Sequence, residues 1–148
     1  MKRPFSLWLL IFFLVFLALG GFVGAYSFLT DPTGASLGMD KELALLPVPN
    51  YILPGLFLLL MMTITPLFLT VGLFAQPNIP FLQTLLRFSP FYWSWTGTVI
   101  LGIGLMLWLI FEAYFIGFFA PIQYVTAING LLILLLPFIP AIKKYYKV

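Results

Sequence analysis

Four long apolar runs constrain this chain more than any other feature, with approximate bounds of 5–29, 51–74, 93–119 and 122–139. Each run is close to or above the roughly 20 residues with which an α-helix crosses a bilayer. Of seven basic and four acidic side chains, only Glu112 lies inside a run, whereas soluble helices of this length carry a polar stripe. The sequence therefore predicts an all-α membrane protein, in which residues 1–148 form a single antiparallel bundle of four transmembrane helices.

Composition excludes several classes of protein. The mean hydropathy is +1.14 and 7% of residues are charged, against about 25% in soluble domains. The chain has no cysteine and no histidine, and so it lacks thiolate ligands, disulfides and the commonest metal ligand and general base. The sequence thus predicts no metal site, no cofactor and no catalytic residues, and an enzyme is the least expected class.

The basic residues indicate which side of the membrane is cytoplasmic. Lysine and arginine accumulate in cytoplasmic loops. One side of the predicted bundle carries only Lys41, beside three carboxylates of the first connection. We therefore expect both termini to be cytoplasmic, and we interpret the sequence pI near 9.3 as a topology signal and not as a nucleic-acid surface. The opposite side carries the other six basic residues: Lys2, Arg3, Arg87, Lys143, Lys144 and Lys147.

The connections predict two short interfacial helices. In the first connection, Asp40 suits the N-cap of a helix that continues to Leu46. In the second, Phe81–Phe88 has the pattern of an amphipathic helix in the membrane plane. Its apolar residues would face lipid, while Gln83 and Arg87 would face water.

Pro66 predicts an irregularity near the middle of the second membrane helix. Proline has no amide hydrogen for the carbonyl of Met62, and nearby threonine hydroxyls are able to satisfy freed carbonyls. We expect a kink with local repair.

Small residues predict where helices approach one another. Glycine at four-residue spacing lets backbones come close in a membrane, where the hydrophobic effect does not drive helix association. Gly20 and Gly24 have this spacing, and so do the small-residue pairs Thr98–Gly102 and Ala113–Gly117. The spacing predicts helix contacts at Gly20, Gly24, Gly102 and Gly117.

Glu112 is the one group in the membrane that suggests chemistry. An ionised carboxylate is costly there unless it is paired or hydrated, and no lysine or arginine lies at a matching depth in the four runs. Either Glu112 is protonated, or polar neighbours bond to it beside a hydrated pocket. The candidate polar neighbours recur at three-residue spacing on the fourth helix and are Gln123, Thr126 and Asn129. Trp108 lies one turn before Glu112, and it would cover the cluster together with Tyr114 or Tyr124.

This polar cluster has two interpretations. Polar side chains often join membrane helices, and Glu112 would then have only a structural role, within the bundle or against another protein's helix. Alternatively, the cluster binds a lipid headgroup, a quinone ring or a proton in transit.

Several short motifs are similar to those of a bacterial family. They are Asp31–Gly34 continuing to Leu37–Met39, then Leu53–Leu56 and Pro121–Gln123. Over essentially the whole chain the sequence resembles small four-helix bacterial integral membrane proteins that have no assigned activity. The resemblance implies a bacterial inner-membrane location and no mechanism.

Two functions follow as hypotheses. The first is a non-catalytic accessory or stabilising subunit that contacts lipid and packs against a larger membrane complex, because the chain lacks catalytic groups and leaves much apolar surface. The second is binding or transport of a lipid, quinone or proton at the pocket around Glu112.

Overall fold

Four helices of the computed structural model are long and apolar enough to cross a membrane. The structure describes residues 2–118 and 120–148. The prediction of an all-α four-helix bundle is confirmed, and the chain is a multi-pass membrane protein. The membrane helices are α1 (Phe5–Thr30), α2 (Ile52–Ala75), α4 (Trp93–Phe115) and α5 (Pro121–Leu135). A 3-10 turn over Leu136–Phe138 follows α5. Two shorter helices are α3 (Pro80–Leu85) and α6 (Pro140–Tyr146).

The membrane helices form a ring in chain order. Consecutive helices pack against each other, and α5 closes the ring by packing against α1. Leu7, Leu10 and Leu14 of α1 are fully buried, whereas Phe12 and Phe16 are exposed. This three- to four-residue spacing gives α1 one face toward the bundle and another toward lipid.

The connection between α4 and α5 differs from the prediction. The third helix was predicted to reach residue 119, but it ends at Phe115. Gly117 adopts a left-handed φ of +72° that a helix cannot continue through. Pro121 then begins α5, whose regular part ends at Leu135 and not at 139. Phe119 lies outside the described residues, and the other predicted helix ends agree within one residue.

A π turn interrupts α2 over Leu60–Ile64, directly before the segment that carries Pro66. The Thr65 amide donates to the carbonyl of Leu60, five residues earlier. The Thr65 hydroxyl donates to the same carbonyl at 2.7 Å, and the Thr63 hydroxyl donates to a carbonyl five residues earlier at 3.2 Å. Proline interrupts the regular bonding pattern, and one extra residue in the turn accommodates the interruption.

The two halves of α2 have different neighbours. The half that follows the π turn, Thr65–Ala75, packs against both α1 and α4. The half that precedes it, Ile52–Leu59, packs chiefly against α1. Its contact with α4 is made by long side chains. The ring of Phe57, for example, stacks on Trp108 of α4 with centroids 4.1 Å apart. Space therefore remains between the first half of α2 and α4.

Two of the four predicted contact glycines lie at helix contacts and two do not. A Cβ on Gly24 would lie 2.9 Å from Leu58 Cδ1, and one on Gly102 would lie 2.8 Å from Leu134 Cα. No described residue beyond the immediate neighbours lies within 4 Å of a Cβ at Gly20 or Gly117, and the prediction of a helix contact within the bundle is therefore wrong at these two positions. The close contact on α1 is instead at its neighbour Gly21, which faces the Met62 carbonyl.

The interfacial helices are shorter than predicted. The first connection contains two 3-10 turns, over Ala35–Leu37 and Glu42–Leu45, and Asp40 does not cap the second. In the second connection α3 ends at Leu85. The Gln83 side chain faces protein and not water, because its Oε1 accepts the Trp93 amide at 3.2 Å and so caps the start of α4.

The end of the bundle that holds both chain termini, here called the terminal end, is closed by direct hydrogen bonds. The Arg3 guanidinium donates to the Phe74 carbonyl at 2.7 Å, and the Tyr146 hydroxyl donates to the Leu73 carbonyl at 2.5 Å. Trp95 Nε1 donates to a carbonyl of the 3-10 turn that follows α5, at 2.8 Å. The opposite end, the loop end, comprises residues 31–51, 116–118 and 120 and the helix ends that they join.

Candidate functional site

Glu112 is half-buried on the last turn of α4, at the loop end. A side-chain hydrogen bond joins it to Gln123 of α5. The same Gln123 donates from Nε2 to the Gly117 carbonyl at 3.0 Å and accepts the Ala120 amide on Oε1 at 3.0 Å. Gln123 therefore holds the α4–α5 connection and the carboxyl group of Glu112 in one hydrogen-bonded unit.

Asn129 connects α5 to α1. Its side chain is 4% exposed, and Nδ2 donates to the Phe13 carbonyl at 3.3 Å. Among the residues that the structure describes, its Oδ1 has no hydrogen-bond partner. Because a buried acceptor without a donor destabilises the fold, Asn129 leaves an acceptor that a bound molecule or water would satisfy.

Two cavities meet at Glu112. The first, of about 510 Å³, lies between α2, α4 and the first connection. The second, of about 280 Å³, lies between α1, α2, α4 and α5. Glu112 and Trp108 line both cavities, whereas Gln123, Thr126 and Asn129 line the second. The five residues predicted for a polar pocket are thus brought together, with the carboxyl group where the two spaces adjoin.

Aromatic rings form two walls of the first cavity. On one side the rings of Phe28 and Tyr51 stack with centroids 4.4 Å apart and planes 6° apart. On the other side Trp108 stacks on Phe57 at 4.1 Å and on Phe111 at 5.6 Å. All five rings line the cavity. Except for Trp108, sequence reasoning missed them, although Phe28 and Tyr51 flank the acidic connection that covers the site.

The predicted aromatic cover is wrong. Tyr114 is 83% exposed and Tyr124 is 55% exposed, and neither lines a cavity. Helix α4 turns by about 100° per residue, so the two-residue step from Glu112 to Tyr114 is a rotation of about 200°. The two side chains therefore leave the helix on nearly opposite sides. Residues of the first connection cover the first cavity instead, among them Met39, Pro47 and Val48.

Tyr51 attaches this cover to α2. Its hydroxyl donates to the Met39 carbonyl at 2.7 Å, and its amide donates to the Pro32 carbonyl at 2.9 Å. Burial, reinforced by the negative charges of the nearby Glu42, Asp40 and Glu112, raises the pKa of the Tyr51 phenol to about 12. Three carboxyl groups therefore act electrostatically on one end of the cavity.

No protein-family model, curated protein or solved structure matches this chain. The chemistry of the site is accordingly inferred from its geometry. The lining combines apolar volume, stacked aromatic rings, one carboxyl group and one unsatisfied amide oxygen. These groups are suited to holding a largely apolar molecule that carries a polar or charged end.

Proposed function

We propose that the protein is a non-catalytic membrane protein that binds a hydrophobic small molecule at the loop end, in the two cavities that meet at Glu112. The observation that carries this proposal is the position of Glu112 where two largely apolar cavities adjoin. It is the one acidic or basic side chain in the described membrane-spanning helices. Ionisable groups at membrane depth are costly and commonly mark functional sites. A volume of about 510 Å³ lies within the range of small-molecule pockets.

We propose further that the protein lies in a bacterial inner membrane with both termini in the cytoplasm. Six of seven basic residues at the terminal end support this orientation, and the resemblance to bacterial membrane proteins supports the location. The ligand site would then lie in the outer half of the bilayer. A reporter fused to each terminus tests the orientation, and access to either reporter from outside the cell would contradict it.

Gentle purification followed by mass measurement of the intact particle tests the binding function. We expect the wild-type protein to retain a lipid-like molecule. Val48→Phe, which adds a ring to the lining of the first cavity, should abolish retention. Val71→Phe, at a position that is 57% exposed and lines neither cavity, should not. Equal retention by both variants would contradict the assignment of the ligand to this cavity.

A second proposed function is that of an accessory subunit of a larger membrane complex. The supporting observation is Gly20, which lies at the exposed edge of the second cavity and has no described residue beyond its own helix within 4 Å of a Cβ. Another helix can approach closely at such a position. The same purification tests this function, because a partner would appear at fixed stoichiometry. Gly20→Phe should remove the partner, whereas Val48→Phe should remove the ligand and keep the partner.

A further inference from the structure

The first cavity has the features of a site for a positively charged group. Its two walls are the stack of Phe28 on Tyr51 and the stack of Phe57, Trp108 and Phe111. The faces of aromatic rings carry partial negative charge, and they attract ammonium groups more strongly where water is excluded.

Most of the charges around the cavity are negative. Glu112 is the one charged side chain that lines it, and no lysine or arginine lines either cavity in the described part of the chain. The first connection, which covers the cavity, carries three carboxylates and one lysine. Two of these carboxylates, Asp40 and Glu42, act on Tyr51 together with Glu112. A cation approaching from the loop end therefore meets negative charge both at the cover and inside.

We propose that the ligand is a lipophilic cation, an alkylamine or alkyl quaternary ammonium compound. The inference rests on the binding function proposed above. The ammonium group would lie beside Glu112 between the aromatic walls, and its chain would occupy the apolar remainder of the cavities. A cation would also neutralise the carboxylate of Glu112. Among the described residues, Gln123 forms a hydrogen bond with this carboxylate, but no basic side chain lines either cavity. An anionic headgroup would be repelled by the same carboxylates.

Three probes with one tail and different heads test the sign of the charge. They are octyltrimethylammonium, 1-octanol and octyl sulfate, and their binding is measured by competition with tritiated octyltrimethylammonium on the purified full-length protein in neutral detergent. We expect octyltrimethylammonium to bind about tenfold or more tightly than octanol. Octyl sulfate should not compete.

Variants identify the groups responsible. Glu112→Gln keeps the shape of the side chain, and we expect it to weaken octyltrimethylammonium binding about tenfold while octanol binding changes by less than about twofold. Phe111→Leu keeps an apolar wall but removes an aromatic face, and it should also reduce the preference for the cation. Asp40→Asn removes a carboxylate of the cover that lines neither cavity, and it should weaken octyltrimethylammonium binding less than Glu112→Gln does, because its charge lies farther from the bound ammonium group.

The outcomes separate this inference from the proposed binding function. Equal affinity for octanol and octyltrimethylammonium, or an unchanged cation affinity in Glu112→Gln, would overturn the inference and leave hydrophobic binding intact. Failure of every octyl probe to bind would overturn both. Added phosphatidylethanolamine then distinguishes the source of the ammonium group, since competition supports a lipid headgroup and its absence supports a free amphiphile.

Discussion

The two ends of the bundle are built differently. At the terminal end, the side chains of Arg3 and Tyr146 donate to backbone carbonyls of α2, and Ile142 is fully buried against the helices. At the loop end, two cavities separate helices that pack closely elsewhere. The π turn of α2 lies between these regions, and only the half of α2 on the terminal side packs extensively against α4. The fold thus separates a closely packed stabilising region from a hollow region that is available for binding.

The largest expected effect is at the contact between α1 and the π turn. A Cβ on Gly21 would lie 2.7 Å from the carbonyl carbon of Met62, which is backbone and cannot move aside. We expect Gly21→Ala to lower the free energy of unfolding by about 3 kcal/mol, measured by equilibrium unfolding in mixed micelles.

Gly20→Ala is the adjacent control. In the described part of the chain, no residue outside α1 lies within 4 Å of a Cβ at Gly20, and alanine favours a helix over glycine by about 1 kcal/mol. The variant should be as stable as the wild type or more stable. Similar losses for the two variants would contradict the close contact of α1 with the π turn.

An added aromatic ring should affect the two ends unequally. Ile142 is 0% exposed at the terminal end, and we expect Ile142→Phe to lower the free energy of unfolding by about 2 kcal/mol through overpacking. Val48 lines the 510 Å³ cavity, which has room for a ring, and Val48→Phe should cost less than about 0.5 kcal/mol. Chemical unfolding of both proteins without added ligand makes the comparison, and equal losses would show that the loop end is as closely packed as the terminal end.

The sequence predicted the helices better than their rotation. Length and hydropathy identify four spans, and the three-residue spacing of Gln123, Thr126 and Asn129 corresponds to the side of α5 that lines the second cavity together with Glu112. Of the predicted pair Gly20 and Gly24, Gly24 lies at a contact, but the second contact is at Gly21 and not at Gly20, a difference of one residue or about 100° of rotation. A membrane helix is apolar toward both protein and lipid, so no polar stripe fixes its rotation.

The aromatic walls were missed for a related reason. Phe28 and Tyr51 lie 23 positions apart in the sequence on different elements, and their stacking depends on how the first connection folds. The π turn also adds a residue within α2. The side chains of the first half of α2 therefore point in different directions from those of a regular helix. Neither effect follows from spacing along one helix.

Two tyrosine hydroxyls offer a smaller and more local comparison. Tyr146 donates to the Leu73 carbonyl at the terminal end, and Tyr51 donates to the Met39 carbonyl at the loop end. We expect Tyr146→Phe to lower the free energy of global unfolding by about 1 kcal/mol. Tyr51→Phe should instead increase proteolysis within residues 31–50 with little change in global unfolding. A global effect of Tyr51→Phe as large as that of Tyr146→Phe would show that the cover contributes to the stability of the whole bundle.

The smallest expected effect is an acid sensitivity of the cover. The Asp31 carboxylate accepts the Thr33 hydroxyl at 2.6 Å and the Ser36 amide at 3.1 Å, and these bonds, the hydroxyl first, lower the pKa of Asp31 below its usual value of 3.8. A carboxyl group whose pKa is lower when folded stabilises the fold above its unfolded pKa, and this contribution is lost as the pH falls through the folded pKa. We therefore expect hydrogen-exchange protection of the Ser36 amide to decline below about pH 4. Asp31→Asn should remove that decline, because its side chain does not titrate; if the decline persists in the variant, another group is responsible for the acid sensitivity of the cover.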